Sequence, residues 1–129
     1  MAPVTAIYAA LVAALFLALS FSVVRARRGR QVSMGDAGDR ALQRRVRAQA
    51  NCAEYAPIGL LLLLLLELNG TGPLLLHLVG LSLLAGRLVH GVGFGRDDML
   101  MAARVPGMLL TFGSIGLAAL LLLAGAAGF

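Results

Sequence analysis

Four long apolar segments, separated by short polar stretches, dominate this chain. A helix needs about 20 mainly apolar residues to cross roughly 30 Å of hydrocarbon, and the second segment reaches that length only by including polar residues. The pattern predicts an all-α membrane protein, a four-transmembrane-helix bundle that forms a single integral membrane domain over residues 1–129. The predicted helices cover about residues 3–28, 39–68, 73–94 and 99–128.

The positive charge next to the first segment predicts whether the segment is cleaved and how it is oriented in the membrane. Positive residues follow the apolar core, at Arg25, Arg27, Arg28 and Arg30, whereas a cleavable signal peptide carries its positive charge before the core. The segment is therefore predicted to be retained as a helix. Eight of the eleven arginines fall between Arg25 and Arg47, and positive loops favour the cytoplasm. We expect both termini outside and the candidate chemistry on the cytoplasmic side.

The composition excludes several classes of protein. The chain is 60% hydrophobic with a mean hydropathy of +0.89, too apolar for a soluble domain of this size, and no nucleic-acid partner is expected. The single cysteine, Cys52, excludes an intrachain disulfide and a cysteine-built metal site, and no metal ligands are predicted. All basic residues are arginine, whose planar fork suits carboxylates, phosphates and carbonyls, although a high-GC genome would favour arginine equally well.

The second helix carries polar residues to hydrocarbon depth. Residues 69–73 are typical of a tight turn at one membrane surface, and only 11 residues, 58–68, precede that turn after the polar half of the helix. Counting about 20 residues back from the turn places Asn51 and Glu54 inside the bilayer, with Arg47 near the opposite interface. The spacings of four and three put these residues on one helical face. An ionisable group at this depth costs at least about 2.5 to 3.5 kcal/mol, so Glu54 needs a partner.

The third helix supplies partners by depth. Arg87 and Glu54 each lie 14 residues from their own end of the turn, and His90 and Asn51 each lie 17. In an antiparallel hairpin, equal counts from a shared turn predict equal depth. We therefore expect Arg87 to pair with Glu54, His90 to pair with Asn51, and all four to meet in one layer. The count assumes straight helices, and Pro57 removes one backbone hydrogen bond from the second helix.

Other polar residues receive structural interpretations. Asp39 is predicted to be the N-cap of the second helix. Arg40 and Arg44 are interpreted as facing lipid headgroups. Glu67 lies at the far interface, where a charge costs little, and His77 is interpreted as a packed or interfacial histidine. Neither Glu67 nor His77 is assigned a function.

The segment from Arg47 to Pro57 reads Arg-Ala-Gln-x-Asn-Cys-x-Glu-Tyr-x-Pro. It resembles the signature of the MAPEG family, the membrane-associated proteins in eicosanoid and glutathione metabolism. The spelling is that of a bacterial-type member similar to leukotriene C synthase and microsomal glutathione transferase. The resemblance extends to Val24-Arg25-Ala26-Arg27-Arg28, to Arg87-x-x-His90-x-x-x-Phe94 and to the four spans.

This resemblance implies a homotrimer in a bacterial inner membrane, with glutathione bound between neighbouring subunits as a co-substrate. It implies a transferase or peroxidase that acts on a lipophilic small molecule or lipid, an electrophile or a hydroperoxide, through an arginine-stabilised thiolate. The implied catalytic cations are Arg104 and Arg28. The residues predicted to bind glutathione, from the motifs and the depth count, are Arg25, Arg47, Asn51, Glu54, Arg87 and His90.

Two departures from the family pattern keep other functions open. Phe94 stands where a tyrosine is expected, and Met101 stands where the leukotriene branch has its activating arginine, with Arg104 one turn later. One alternative is therefore a non-catalytic lipid-binding or scaffold member. Another is a small proton-coupled multidrug exporter, because four spans and a membrane-embedded Glu54 also describe that class, although an exporter ordinarily carries its carboxylate in the first helix.

Overall fold

The structure, a computed structural model, describes residues 1–93 and 100–128, and only the backbone of residues 100 and 101. Within these ranges every regular element is a helix: α1 (Pro3–Arg30), α2 (Arg40–Leu68), α3 (Pro73–Gly93) and α4 (Leu100–Ala126). Each helix contains a stretch long and apolar enough to cross a membrane. The predicted all-α, four-span architecture is confirmed.

The helix ends differ slightly from the prediction. α1 continues to Arg30 and stops at Gln31, whose left-handed backbone (φ 54°) lets its N–H close the last turn on Arg28. α4 ends at Ala126, two residues before the predicted end. The predicted end of the third helix at Phe94, the polar connection 95–98 and the predicted start of the fourth helix at residue 99 lie outside the described residues. α2 is continuous through Pro57.

Asp39 caps α2 as predicted. Its side chain accepts a hydrogen bond from the Leu42 N–H at 2.9 Å and forms an ion pair with Arg30, the last residue of α1. The hydrogen bond from Arg30, followed by that from Leu42, lowers the pKa of the Asp39 carboxyl. One carboxylate therefore joins the end of α1 to the start of α2.

The half of the bundle next to the turn at residues 69–73 has an apolar core. α3 and α4 share the largest interface, and α2 packs on α1, α3 and α4. The buried side chains in this half form one cluster, to which α1, α2, α3 and α4 all contribute. Its buried members are Tyr8, Leu63, Leu66, Leu76, Val79 and Ala118.

Glu67 holds the amino end of α1 in this half. Its two carboxylate oxygens accept hydrogen bonds from the backbone N–H groups of Val4 (2.8 Å) and Thr5 (2.7 Å), which have no partner within their own helix. Nearby, the Tyr8 hydroxyl lies 3.1 Å from Nδ1 of His77, and the two rings meet edge to face. His77 is exposed and contacts Tyr8, whereas Glu67 joins two helices, a role that its position in the sequence did not indicate.

Glycines allow α3 and α4 to approach closely. A Cβ atom on Gly86 would lie 2.6 Å from Oγ1 of Thr111 and 2.8 Å from the carbonyl oxygen of Gly107, closer than such atoms can be. A Cβ atom on Gly107 would likewise lie 2.8 Å from the backbone nitrogen of His90. Small residues at a helix interface bring the two backbones together in this way.

We predict that Gly86→Ala lowers the thermal stability of the detergent-solubilised protein, because the new methyl group meets backbone that has no room to move. Overpacking of this kind costs about 1 to 3 kcal/mol. Gly113→Ala is the matched control in α4, since nothing lies within 4 Å of its added Cβ atom. Equal melting temperatures for the two variants would contradict the close approach at Gly86.

Candidate functional site

A polar cavity of about 300 Å³ opens between α2, α3 and α4, in the half of the bundle away from the turn. We call it the polar cavity. Its walls carry two guanidinium groups, one carboxylate, one amide, one imidazole, one phenol and one thioether. The residues are Arg47, Asn51, Glu54, Tyr55, His90, Arg104 and Met108.

Five of the residues predicted from the sequence meet in the polar cavity. Arg47, Asn51 and Glu54 come from one face of α2, as their spacing predicted. His90 of α3 and Arg104 of α4 join them from the opposite wall. These two helices come close together because Gly107 lies directly against the His90 backbone. Asn51, Glu54 and His90, three of the four polar residues predicted to meet in one layer, therefore line one cavity.

Arg87 lies behind the polar cavity and is 1% exposed. Its Nη1 donates to Oδ1 of Asn51 at 2.6 Å and to the Asn51 carbonyl oxygen at 3.4 Å. Its Nε and Nη2 donate to Oγ1 of Thr111 at 3.0 and 2.6 Å, and Nη2 also contacts the sulfur of Met108 at 3.4 Å. These five contacts match the five N–H groups of a guanidinium, so its donors are all engaged.

The buried guanidinium is balanced by neutral groups. Thr111 donates its own proton to the Gly107 carbonyl at 2.8 Å, which leaves the lone pairs of its oxygen for Arg87. The centre of the guanidinium also lies 5.5 Å from the centre of the Tyr55 ring, within range of a cation–π contact. Among the described residues no carboxylate pairs with Arg87. Within the part of the chain that the structure describes, the positive charge of Arg87 is therefore stabilised by neutral hydrogen-bond acceptors and an aromatic ring.

The predicted pairing of Arg87 with Glu54 is wrong. Within the described residues Arg87 forms its polar contact to α2 at Asn51, and no ion pair joins it to Glu54. The depth count compared backbone positions, but an arginine side chain is longer than the 5.4 Å pitch of one helical turn. Equal depth therefore did not decide the partner. Glu54 instead lines the polar cavity.

Arg25 and Arg28 lie outside the polar cavity of their own chain. Both are exposed near the end of α1, and Arg28 lines a separate cavity with Arg27 and Gln31. Phe94 lies outside the described residues, and the side chain of Met101 is not described. Cys52 is buried and faces an apolar groove between α1 and α2.

Three residues at the site had been given no role. Tyr55 follows Asn51 by four residues, so the helical period alone places it on the same face. Met108 and Thr111 follow Arg104 by four and seven residues, and the same period would have linked them to it had that face of α4 been analysed. No local sequence pattern indicated that Thr111 contacts Arg87, because the two residues are 24 positions apart in the chain.

The charges of the polar cavity favour a ligand with several anionic groups and one cationic group. Arg47 and Arg104 offer two positive charges and Glu54 one negative charge, while Arg87 adds a positive charge behind the wall. Guanidinium groups bind carboxylates through paired, charge-assisted hydrogen bonds. A carboxylate in the same wall suits an ammonium group. A zwitterionic or peptide-like molecule has this distribution of charge.

Comparison with known proteins places the chain among membrane proteins. The model of the MAPEG family matches residues 5–128. The inner membrane protein YecN of Escherichia coli (strain K12) is 42% identical over 109 residues, which cover 84% of this chain and 82% of that protein. The protein of the same name from Escherichia coli O6:H1 matches to the same extent.

We predict that Arg87→Lys destabilises the protein even though it keeps the charge. A lysine ammonium cannot donate to Asn51 and twice to Thr111 in the geometry of a planar fork, so buried acceptors lose their donors. The melting temperature in detergent should fall by on the order of 5 °C or more. Arg40→Lys, at the exposed start of α2, is the control and should change little. An unchanged melting temperature for Arg87→Lys would contradict the importance of the fork.

Proposed function

The chain belongs to the MAPEG family, and from that premise we propose that it is a glutathione-dependent transferase or peroxidase acting on lipophilic electrophiles or lipid hydroperoxides in the membrane. The observation that carries the proposal is the polar cavity itself. Arg47, Asn51, Glu54, His90 and Arg104 converge from three membrane helices, where exposing charge to hydrocarbon is costly. Such a site favours a hydrophilic ligand over an apolar one.

Glutathione matches the charges of the polar cavity. It carries two carboxylates, one ammonium group, two amides and a thiol. Arg47 would receive a carboxylate, Arg104 would face the thiolate, and Glu54 would receive the ammonium group. Asn51 and His90 would bind amide or carboxylate groups. A volume of about 300 Å³ lies at the lower end of the range for small-molecule pockets, which favours a site completed by a second subunit.

A homotrimer would complete the site. Arg25 and Arg28 are exposed and stand outside the polar cavity of their own chain, so they would serve a glutathione molecule only in a neighbouring subunit. This accords with the family resemblance, which implies glutathione between subunits. Arg25 would then add a contact to a carboxylate, and Arg28 a second cation near the thiol.

Arg104 is the proposed activating residue. A fixed cation beside a thiol lowers the thiol pKa and raises the fraction present as nucleophilic thiolate. In the transferase reaction the thiolate attacks an electrophilic carbon, a C–S bond forms, and the leaving group departs with its electron pair. In the peroxidase reaction the thiolate sulfur attacks a peroxide oxygen, the O–O bond breaks, the lipid alkoxide departs and takes up a proton, and the sulfur is left as a sulfenic acid. A second glutathione then displaces the oxidised sulfur's hydroxyl to give the disulfide.

The proposed location is a bacterial inner membrane, on the strength of the name of the Escherichia coli relative. The arginine-rich connection between α1 and α2 would face the cytoplasm under the positive-inside rule. The polar cavity lies in the half of the bundle that carries this connection. It would therefore draw glutathione from the cytoplasm, and both termini would lie on the other side.

A non-catalytic lipid-binding or scaffold role is the second candidate. It is favoured by Phe94, which has no hydroxyl to offer, and by Arg104, which stands one turn beyond the position expected for the activating arginine. Family membership argues against the exporter alternative. Turnover with glutathione and 1-chloro-2,4-dinitrobenzene, or with a lipid hydroperoxide, would support the enzyme. Thermal stabilisation by glutathione without turnover in either assay would support the binding role.

We predict that Arg47→Ala weakens glutathione binding roughly tenfold or more, because a charge-assisted hydrogen bond contributes about 1.5 to 3 kcal/mol. Binding is measured by isothermal titration calorimetry in detergent, and size-exclusion chromatography checks that the assembly is unchanged. Arg40→Ala, two turns away on the same helix, is the control. Undiminished affinity in Arg47→Ala would remove Arg47 from the binding site.

We predict that Arg104→Ala loses turnover and retains glutathione binding within a few-fold, since the cation acts on the thiol in the reaction. The pH dependence of the rate provides the second measurement. If Arg104 stabilises the thiolate, the remaining activity rises with pH toward the ordinary thiol range near 8.5. Full activity in Arg104→Ala would assign activation to another cation, with Arg28 the next to be replaced.

A further inference from the structure

The orientation of the Asn51 side chain is fixed by its neighbour. A guanidinium group has donors and no acceptor, so the atom of Asn51 that faces Nη1 of Arg87 at 2.6 Å must be the amide oxygen. The amide nitrogen is then the group directed away from Arg87. Within the described residues this nitrogen forms no hydrogen bond to protein, and Asn51 lines the polar cavity.

Arg87 itself has little freedom to release that oxygen. It is 1% exposed and bound on its far side to Oγ1 of Thr111, which is 0% exposed. Thr111 is fixed in turn by its hydrogen bond to the Gly107 carbonyl. A hydroxyl group has one proton and two lone pairs, and these contacts use all of them. A chain of hydrogen bonds therefore runs from the Gly107 carbonyl through Thr111 and Arg87 to Asn51 and fixes the Asn51 side chain.

We propose that Thr111 and Arg87 are positioning residues that make Asn51 a hydrogen-bond donor toward the ligand. The polar cavity then demands an acceptor at this position, a carboxylate or amide carbonyl oxygen, and rejects a ligand that presents a donor there. This inference rests on the proposed function insofar as the ligand is glutathione. It also reassigns Arg87, which the sequence predicted to contact the ligand, to the support of a residue that does.

Asn51→Asp separates stability from recognition. The new carboxylate accepts from Arg87 at the same position and adds a charge opposite to that of the guanidinium, so the ligand-free protein should melt at or above the wild-type temperature. It offers no donor to the polar cavity, so glutathione affinity measured by titration calorimetry should fall at least roughly tenfold. Wild-type affinity in Asn51→Asp would overturn the assignment of Asn51 as a donor.

Thr111→Ser and Thr111→Val test the positioning role. Serine keeps the hydroxyl and valine replaces it with a methyl group of similar size. We expect glutathione affinity within about twofold of wild type for Thr111→Ser and a loss of roughly tenfold or more for Thr111→Val. Equal affinities in the two variants, whether both retained or both lost, would overturn the role of the hydroxyl.

A ligand-free measurement keeps this inference distinct from the proposed function. If the wild-type protein does not bind glutathione, the proposed function fails, and the orientation of Asn51 is then judged from melting temperatures alone. Asn51→Leu leaves Nη1 of Arg87 without its side-chain acceptor. The expected order of stability is Asn51→Asp at or above wild type, with Asn51→Leu clearly below. Wild-type stability in Asn51→Leu would overturn the contact with Arg87.

Discussion

A buried guanidinium group, solvated by an asparagine and a threonine, determines how three membrane helices of this protein are arranged. Arg87 of α3 reaches Asn51 of α2 and Thr111 of α4 at the same time. A cation at this depth is costly unless protein dipoles replace its water. The positions of α2 and α4 relative to α3 are therefore constrained by hydrogen-bond geometry as well as by packing. The polar cavity opens beside this contact.

The helices of the bundle are held together by different contacts in its two halves. Near the turn at residues 69–73 the helices meet through leucine and valine side chains, which pack well but specify direction weakly. Toward the arginine-rich connection the contact between α3 and α4 runs through Gly86 and Gly107, where the backbones touch. That close approach brings Thr111 within reach of Arg87 and sets His90 against α4. The polar cavity thus depends on residues with no side chain as much as on its charged groups.

The sequence predicted most of the fold, because hydropathy, turn residues and the Asp39 cap are local signals. Helical spacing on α2 and a count of depth on α3 also predicted four residues of the polar cavity, Arg47, Asn51, Glu54 and His90, and the family resemblance added Arg104. The sequence did not predict correctly which side chains form hydrogen bonds with each other. Glu54 and Asn51 are less than one turn apart, and only the path of the long Arg87 side chain decides between them. Thr111 and Glu67 were missed for a related reason, because their partners lie 24 and more than 60 residues away in the chain.

The contact of Glu67 with the first turn of α1 has a consequence at the opposite membrane surface. α1 has 28 residues and is about 42 Å long, roughly 12 Å more than the hydrocarbon it crosses. Because Glu67 binds the N–H groups of Val4 and Thr5, sliding α1 along its axis would break both hydrogen bonds. The part of α1 that exceeds the hydrocarbon thickness therefore extends from its carboxyl end. A carboxylate at one surface thus sets how far the arginines of α1 extend beyond the other.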